Sequence, residues 1–424
     1  MESRLFLEPQ RIDGEMLEVA ACFESGRTPG RRHRLWWRLP AEWRDAVTSW
    51  ADPFVIAFLF PMMEEGCDVL IEGRVSPSLL GNLETYMAIW RAWEPTRYKP
   101  VFIRATEEIE APPPAMPGQT IMPFSSGVDS SYTALRHHRQ LVGRRNRSIG
   151  AAVVMNGFDI WFDQPNAAAM YDGVLNRSQA MLGSLSIPCI PMSNNYHDLP
   201  TIWGHGFGTH LVSGLRLLSA RFDAALIPNN APYAEPITPW GSTPLTDPSL
   251  SSRHFAVIDD GAESSRVDKI ELIGSWPEAL QNLRVCFENP GNHGNCCRCE
   301  KCIRTILAFR LAGVQLPAAF ERDVTNRQIR QVRLPRQINF DLWNELLRAA
   351  DQRGLTREPW VGAMHSAKRH YLRRRLLNSL RRPFVPLRNR IRIIFRGSPL
   401  SRRELAAASL AASTLGGGPD SVLK

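Results

Sequence analysis

The sequence predicts a mixed α/β protein: a doubly wound parallel sheet bearing a four-cysteine cluster, with an amino-terminal α+β module before it and a basic helical tail after it. Three observations predict this. From residue 117 onward, short apolar runs alternate with longer helix-like stretches, as expected of strands buried on both faces and joined by crossover helices. A small, hydroxyl-rich loop lies between one such run and one such helix. Five of the eight cysteines fall between Cys286 and Cys302. At 424 residues the chain can bury a large core and is expected to hold more than one domain.

Residues 1–115 read as their own module. Arg4–Leu7, Met16–Phe23 and Arg34–Leu39 are expected strands separated by Gly- and Pro-containing turns. Trp50–Met63 reads as a buried helix and Asp68–Gly73 as a short apolar strand. Ser76 is placed to cap a helix that starts at Pro77 and runs to about Trp93, with Leu79, Leu83, Tyr86 and Trp90 on one side. Its aromatics suit a core better than a stacking platform. The linker Glu110–Pro117 is stiff and extended, and marks the module's end.

Thr120–Phe124 then reads as a buried strand, and Ser131–Leu135 opens a helix. Between them lies Ser125-Ser126-Gly127-Val128-Asp129-Ser130. A strand, a Ser/Gly turn and a helix N-terminus together make an anion site. Unpaired N–H groups point outward, the helix dipole favours negative charge, and small side chains let phosphate reach the main chain. Asp129 beside it suits Mg²⁺, which takes one or two carboxylates plus phosphate oxygens. An ordinary capped turn is the competing reading.

Further strands are expected at Ser148–Met155, Pro188–Met192 and Ala224–Pro228, with a helix from Asn166 to Leu182. Trp203–His210 opens another apolar helix through Leu218. His205 there can meet a phosphate or move a proton, or simply pack, and His210 is the weaker candidate. Loops at the carboxyl ends of strands carry specificity, so Ser242, Thr243 and Asp247 in the segment 239–248 are candidates for substrate recognition. Asp247 equally suits a cap for the turn at Pro248.

Cys286, Cys296, Cys299 and Cys302 give C-x9-C-x2-C-x2-C, the spacing of a closed tetrahedral Zn²⁺ site. Cys297 is the spare thiol of the cluster. Cys22, Cys67 and Cys189 read as small buried hydrophobes. Lys301 and Arg304, on the helix leaving the cluster, either neutralise pyrophosphate or are solvated.

Ser125–Ser130 resembles the pyrophosphate loop of the N-type ATP pyrophosphatases, whose pattern is Ser-Gly-Gly-x-Asp-Ser. Followed by the four cysteines, it is similar to 7-cyano-7-deazaguanine synthases over residues 117–315. The chain departs from the pattern at Ser126, where the family carries glycine. The resemblance implies an adenine nucleotide alpha hydrolase-like fold, with ATP, Mg²⁺ and Zn²⁺ as cofactors. The implied reaction is adenylylation of a carboxylate or amide oxygen, followed by attack of ammonia or an amine. In it Ser125, Asp129 and Ser130 would be catalytic, and Ser125, Ser126, Gly127, Val128, Asp129, Ser130 and Ser131 would hold phosphate. The main chain near Val154–Gly157, including Asn156, would face adenine, and Asp159 would reach the ribose. Enlarged synthase-like proteins of similar size occur in anti-phage defence operons. A nucleotide-binding or nucleic-acid-binding protein on the same fold, without turnover, is the alternative.

The net charge of +9 belongs to one segment. Lys368–Arg403 holds thirteen Lys/Arg and no acid, so taking these thirteen from +9 leaves −4. After a helical extension at 316–367, the tail 368–424 places Leu372, Leu376, Leu377 and Leu380 at helical spacing. A helix packed on the body is the first reading, a contact with nucleic acid the second, and a segment on an anionic membrane surface the third. Residues 404–424, rich in Ala, Ser and Gly, are expected to fray. No run is apolar enough to span a bilayer and the first residues lack a signal-peptide pattern, so the cytoplasm is the expected location. Pairing with a second copy is left open.

Overall fold

The computed structural model describes residues 2–229, 232, 233, 237–286, 288, 294–335 and 337–381. The chain divides into two units, Met1–Cys297 with Ala308–Asp323, and Arg298–Leu307 with Val324–Lys424.

The first unit is built on one mixed, mostly parallel sheet of eleven strands. In chain order its elements are β1 (Ser3–Leu7), β2 (Arg11–Asp13), β3 (Met16–Glu24), β4 (Arg32–Pro40), α1 (Asp52–Glu65), β5 (Val69–Val75), α2 (Pro77–Trp93) and β6 (Ile103–Glu108). There follow β7 (Gln119–Pro123), α3 (Val128–His138), β8 (Ser148–Asn156), α4 (Ala167–Ser184), β9 (Cys189–Asn194), α5 (Trp203–Arg216), β10 (Ala224–Pro228), β11 (Ala256–Asp260), α6 (Arg266–Ile273) and α7 (Pro277–Asn282). After these comes α8 (Glu300–Leu311), whose residues up to Leu307 belong to the second unit and the rest to the first.

The strand order is β11-β10-β7-β8-β9-β4-β3-β1-β5-β6, with β2 against β3. The first five are parallel to one another. The chain leaves β7 for β8 and β9 on one side and returns to β10 and β11 on the other. Such a reversal opens a crevice beyond the carboxyl ends of the strands, and β7 is the strand at which it occurs.

The linker 110–117 does not separate two sheets, as the sequence reading expected. β4 pairs antiparallel with β9, Trp37 opposite Asn194 and Arg38 opposite Ser193. Asn195 stitches the junction: its Oδ1 accepts the Trp36 N–H (2.8 Å) and its Nδ2 donates to the Arg34 carbonyl (2.9 Å). One core runs through both halves, from Leu5, Trp37 and Phe58 to Ile121, Ile190 and Ile227. The physical reason lies in α1. Every residue from Asp52 to Met63 is buried, and a helix apolar all round needs cover on every side. Part of that cover is α5, from the other half.

α2 begins and ends where the sequence placed it, with Leu79, Leu83, Tyr86 and Trp90 buried. Ser76 does not cap it through its side chain. Its N–H and hydroxyl instead donate to the Asp52 carboxylate (2.9 and 2.7 Å), which also takes the buried Arg216 guanidinium. The free thiols are less uniform than expected: Cys22 is buried, but Cys67 and Cys189 are half-buried.

The second unit holds α9 (Asn326–Gln331), α10 (Gln337–Gln352) and α11 (Pro359–Arg381). Trp343 of α10 is fully buried and its indole N–H donates to the Met364 carbonyl (3.1 Å). Tyr371 stacks on Phe340, centroids 4.6 Å apart. Beyond Tyr371 the expected packing of leucines is not found. Leu372, Leu376 and Leu377 are 44%, 62% and 54% exposed, because α10, which α11 packs against, begins only at Gln337. The basic tail beyond Arg381 lies outside the described residues, as does the side chain of Leu380. Among the described residues no helix is long and apolar enough to cross a membrane.

Candidate functional site

β7 is buried along its centre and delivers the chain to the loop at the reversal point. Gly127 occupies the N-cap of α3 in an extended conformation (φ −82°), and no side chain caps the helix. The first-turn amides therefore lack the partner a capping side chain would supply. The Ser131 N–H and hydroxyl both donate to the Gly127 carbonyl (3.0 and 2.6 Å). The hydroxyls of Ser125 and Ser130 lie 3.4 Å apart.

Ser126 has the left-handed conformation (φ 56°), which its side chain adopts reluctantly. It is held there by a hydrogen bond between its hydroxyl and that of Ser178 in α4 (2.8 Å). Its carbonyl accepts the Arg284 N–H (2.8 Å). The departure from glycine is thus built into a buried contact.

Asp129, one residue into α3, lies between two cations. Lys269 Nζ approaches one carboxylate oxygen and Arg266 Nη1 the other, both at 2.9 Å. Lys269, 3% exposed, also donates to the Asn229 carbonyl just past β10. Sequence reasoning missed Lys269, Arg266 and Asn229. The available signal was Ser265-x-x-Asp268, a capping box that starts α6 and puts both cations in its first turn. Asp259, at the end of β11, was missed too. Asn229 Nδ2 donates to its Oδ2, while its Oδ1 is buried without a partner. Burial first pushes its carboxyl up to about 6.

The residues after β8 sit at the same edge of the sheet. The Asn156 carbonyl accepts from Asn194 Nδ2 (2.9 Å) and its Oδ1 from the Gly157 N–H (3.0 Å). Gly157 has φ 79°, and a Cβ there would lie 2.1 Å from the Asn194 carbonyl oxygen, so only glycine fits. Asp159 is exposed.

His205 is placed elsewhere. Its ring, 5% exposed, packs against Trp90, and Tyr98 Oη meets its Nδ1 at 2.8 Å. Burial pushes its pKa down to about 4, so the imidazole is neutral at pH 7. His210 is held well below its ordinary value for the same reason; its ring stacks on Tyr196 and its Nε2 meets Asn194 Oδ1 at 2.9 Å.

The three candidates for substrate recognition are brought together, with one another. The Asp247 carboxylate takes the Ser242 hydroxyl (2.7 Å) and the Thr243 N–H (3.1 Å). Thr243 and Asp247 are 6% and 1% exposed, and burial pushes the Asp247 carboxyl up to about 8.

Cys286, Cys296, Cys299 and Cys302 form a group whose sulfurs all lie within 4.8 Å of one another. Four thiolates around zinc at ordinary bond lengths stand about 3.8 Å apart, so a small contraction would close the cage. The Cys302 N–H donates to Cys299 Sγ (3.4 Å), the kind of bond that steadies a thiolate ligand. These residues could hold a metal ion such as zinc. Cys297 stands outside the group: its thiol is buried and donates to the Asn295 carbonyl (3.4 Å). Arg304 is paired with Glu300 (2.8 Å).

No family model, curated protein or solved structure matches the chain.

Proposed function

We propose that the protein is an ATP-dependent adenylylating enzyme of the pyrophosphatase-loop kind, similar to 7-cyano-7-deazaguanine synthases. The observation that carries the reading is an uncapped helix N-terminus at the sheet's reversal point, with Asp129 and two cations directly beside it. ATP binds with its β- and γ-phosphates on the amides and hydroxyls of Ser125–Ser131. A substrate carboxylate or amide oxygen attacks the α-phosphorus and pyrophosphate leaves. Ammonia or an amine then attacks the activated carbon and AMP leaves. Such chemistry needs positioning and charge neutralisation more than acid–base pairs. Lys269 and Arg266 supply the neutralisation, since both can swing from Asp129 to phosphate oxygens. Asp129 is thereby released, and it is the carboxylate that would hold Mg²⁺. A closed four-cysteine zinc site leaves no open position, so its part is structural. The acceptor is a small molecule carrying a carboxylate or amide, and a role in anti-phage defence goes with the chain's size alone.

A second reading, a nucleotide-binding or nucleic-acid-binding protein without turnover, draws on one feature. Both oxygens of Asp129 are engaged by cations, and Mg²⁺ needs that exchange. Pyrophosphate release from ATP, with carboxy-deazaguanine and ammonia and without them, separates the two. A substrate-dependent signal lost in Asp129→Ala supports the enzyme. ATP binding with no AMP formed under any condition supports the binder and ends the enzymatic proposal.

A further inference from the structure

α11 has two sides of different character. Met364 and Ala367 are buried and Tyr371 stacks on Phe340. At about 100° per residue these three lie within about 60° of one another. Gln337, where α10 begins, accepts the Tyr371 hydroxyl (3.2 Å) and Arg375 Nη1 (2.5 Å). Leu372, Leu376 and Leu377 fall on the opposite side, over an arc of about 140°, and all three are exposed. Arg369 and Arg373, exposed as well, fall inside the same arc. α11 contains no acidic residue.

Three leucines held in water favour any partner that covers them, and the arginines among them restrict what that partner is. A second copy would set arginine against arginine. The chain's own end is no better matched, since 382–424 hold eight Lys/Arg against only Glu404 and Asp420. An apolar groove on another protein would have to bury Arg369 and Arg373 with the leucines. A nucleic acid would take the arginines and leave the leucines in water. A bilayer surface accepts both, because its acyl boundary and its phosphates lie within one arginine's reach of each other.

We propose that the end of α11, from Arg369 to Leu377, is an anchor that lies on a surface of anionic phospholipid. Leu372, Leu376 and Leu377 enter the acyl boundary, while Arg369, Arg373 and Arg374 meet the headgroup phosphates. The helix rests on the bilayer and does not cross it. Three leucines hold weakly and the charges add a screened attraction, so attachment is reversible and falls with salt. The proposal does not depend on what the phosphate loop binds.

The test is co-sedimentation of full-length protein with vesicles of phosphatidylcholine alone and of phosphatidylcholine mixed with phosphatidylglycerol. Two combined variants accompany wild type: Leu372→Ser with Leu376→Ser and Leu377→Ser, and Arg369→Gln with Arg373→Gln. Wild type should bind the anionic vesicles and leave the neutral ones. Each combined variant should weaken that binding by about tenfold or more. Melting temperature should not change, because all five side chains are exposed. Wild type that ignores anionic vesicles, or binds neutral ones as well, overturns the anchor. So does binding unchanged in either variant. A lower melting temperature in the leucine variant also overturns it, since the fold would then already cover those side chains. Duplex RNA bound equally by wild type and the leucine variant, with no vesicle binding, assigns the segment to nucleic acid instead. A dimer that only the leucine variant dissolves, again without vesicle binding, assigns it to a second copy.

Discussion

Ser126→Gly restores the loop pattern that this chain lacks, and the structure says it should cost stability. The gain is relief of a left-handed backbone at a residue with a Cβ, worth about 1 kcal/mol. Against it stands the Ser178 hydroxyl, which is fully buried and bonded to Ser126 at 2.8 Å. Stranding a buried hydroxyl costs about 1–3 kcal/mol. Glycine's freedom in the unfolded chain adds about 0.5–1 kcal/mol. The net loss is about 1–2 kcal/mol, or about 2–4 °C in melting temperature for a unit of this size. Replacing Ser178 by Ala in the same chain removes the stranded group and should recover about 1–2 kcal/mol of that loss. The assay is thermal or denaturant unfolding of the two single variants and the double. A Ser126→Gly protein more stable than wild type, or a double variant whose loss equals the sum of the singles, would refute the reasoning.

Two further outcomes follow from the site. Protein purified without chelator should carry bound zinc, and Cys302→Ser should lose both the metal and several degrees of melting temperature, since structural zinc binding is folding energy; metal analysis showing none in the wild type sinks this. The Asp247 carboxyl keeps its proton up to about pH 8 in the folded protein, whereas the unfolded chain releases it near pH 4. Its contribution to stability is therefore full below about pH 4 and is lost as pH rises toward about 8. Asp247→Asn should flatten the decline in melting temperature between pH 5 and 8, and an unchanged slope contradicts it.

The loop, the cysteine spacing and most strands were legible because each is local. β10 spans the residues the sequence assigned, Ala224–Pro228, and α2 ends at Trp93 as its apolar spacing indicated. β11 and α6 went unread. Ala256–Asp260 is three apolar residues before two aspartates, too short for a clear period, and α6 has only eight residues. Those two elements carry Lys269, Arg266 and Asp259, so the charge around Asp129 was missed with them. His205 shows the opposite error. Glycines at a helix start suggested an approach to phosphate, but Gly208 is there because the Gly241 backbone crosses it, 1.8 Å from any Cβ.

The sequence by itself determined the chemistry available: a hydroxyl-rich turn before a helix, four thiols at metal spacing, and a tail whose charge has no acidic neighbour. Only the tertiary structure decided who meets whom. It joined the amino-terminal strands to the parallel sheet through β4 and β9 and filled one core from both sides of a proline linker. It also closed two cations on Asp129 from about 140 residues away. Periodicity along a chain reports what each segment must bury, but not which other segment will bury it.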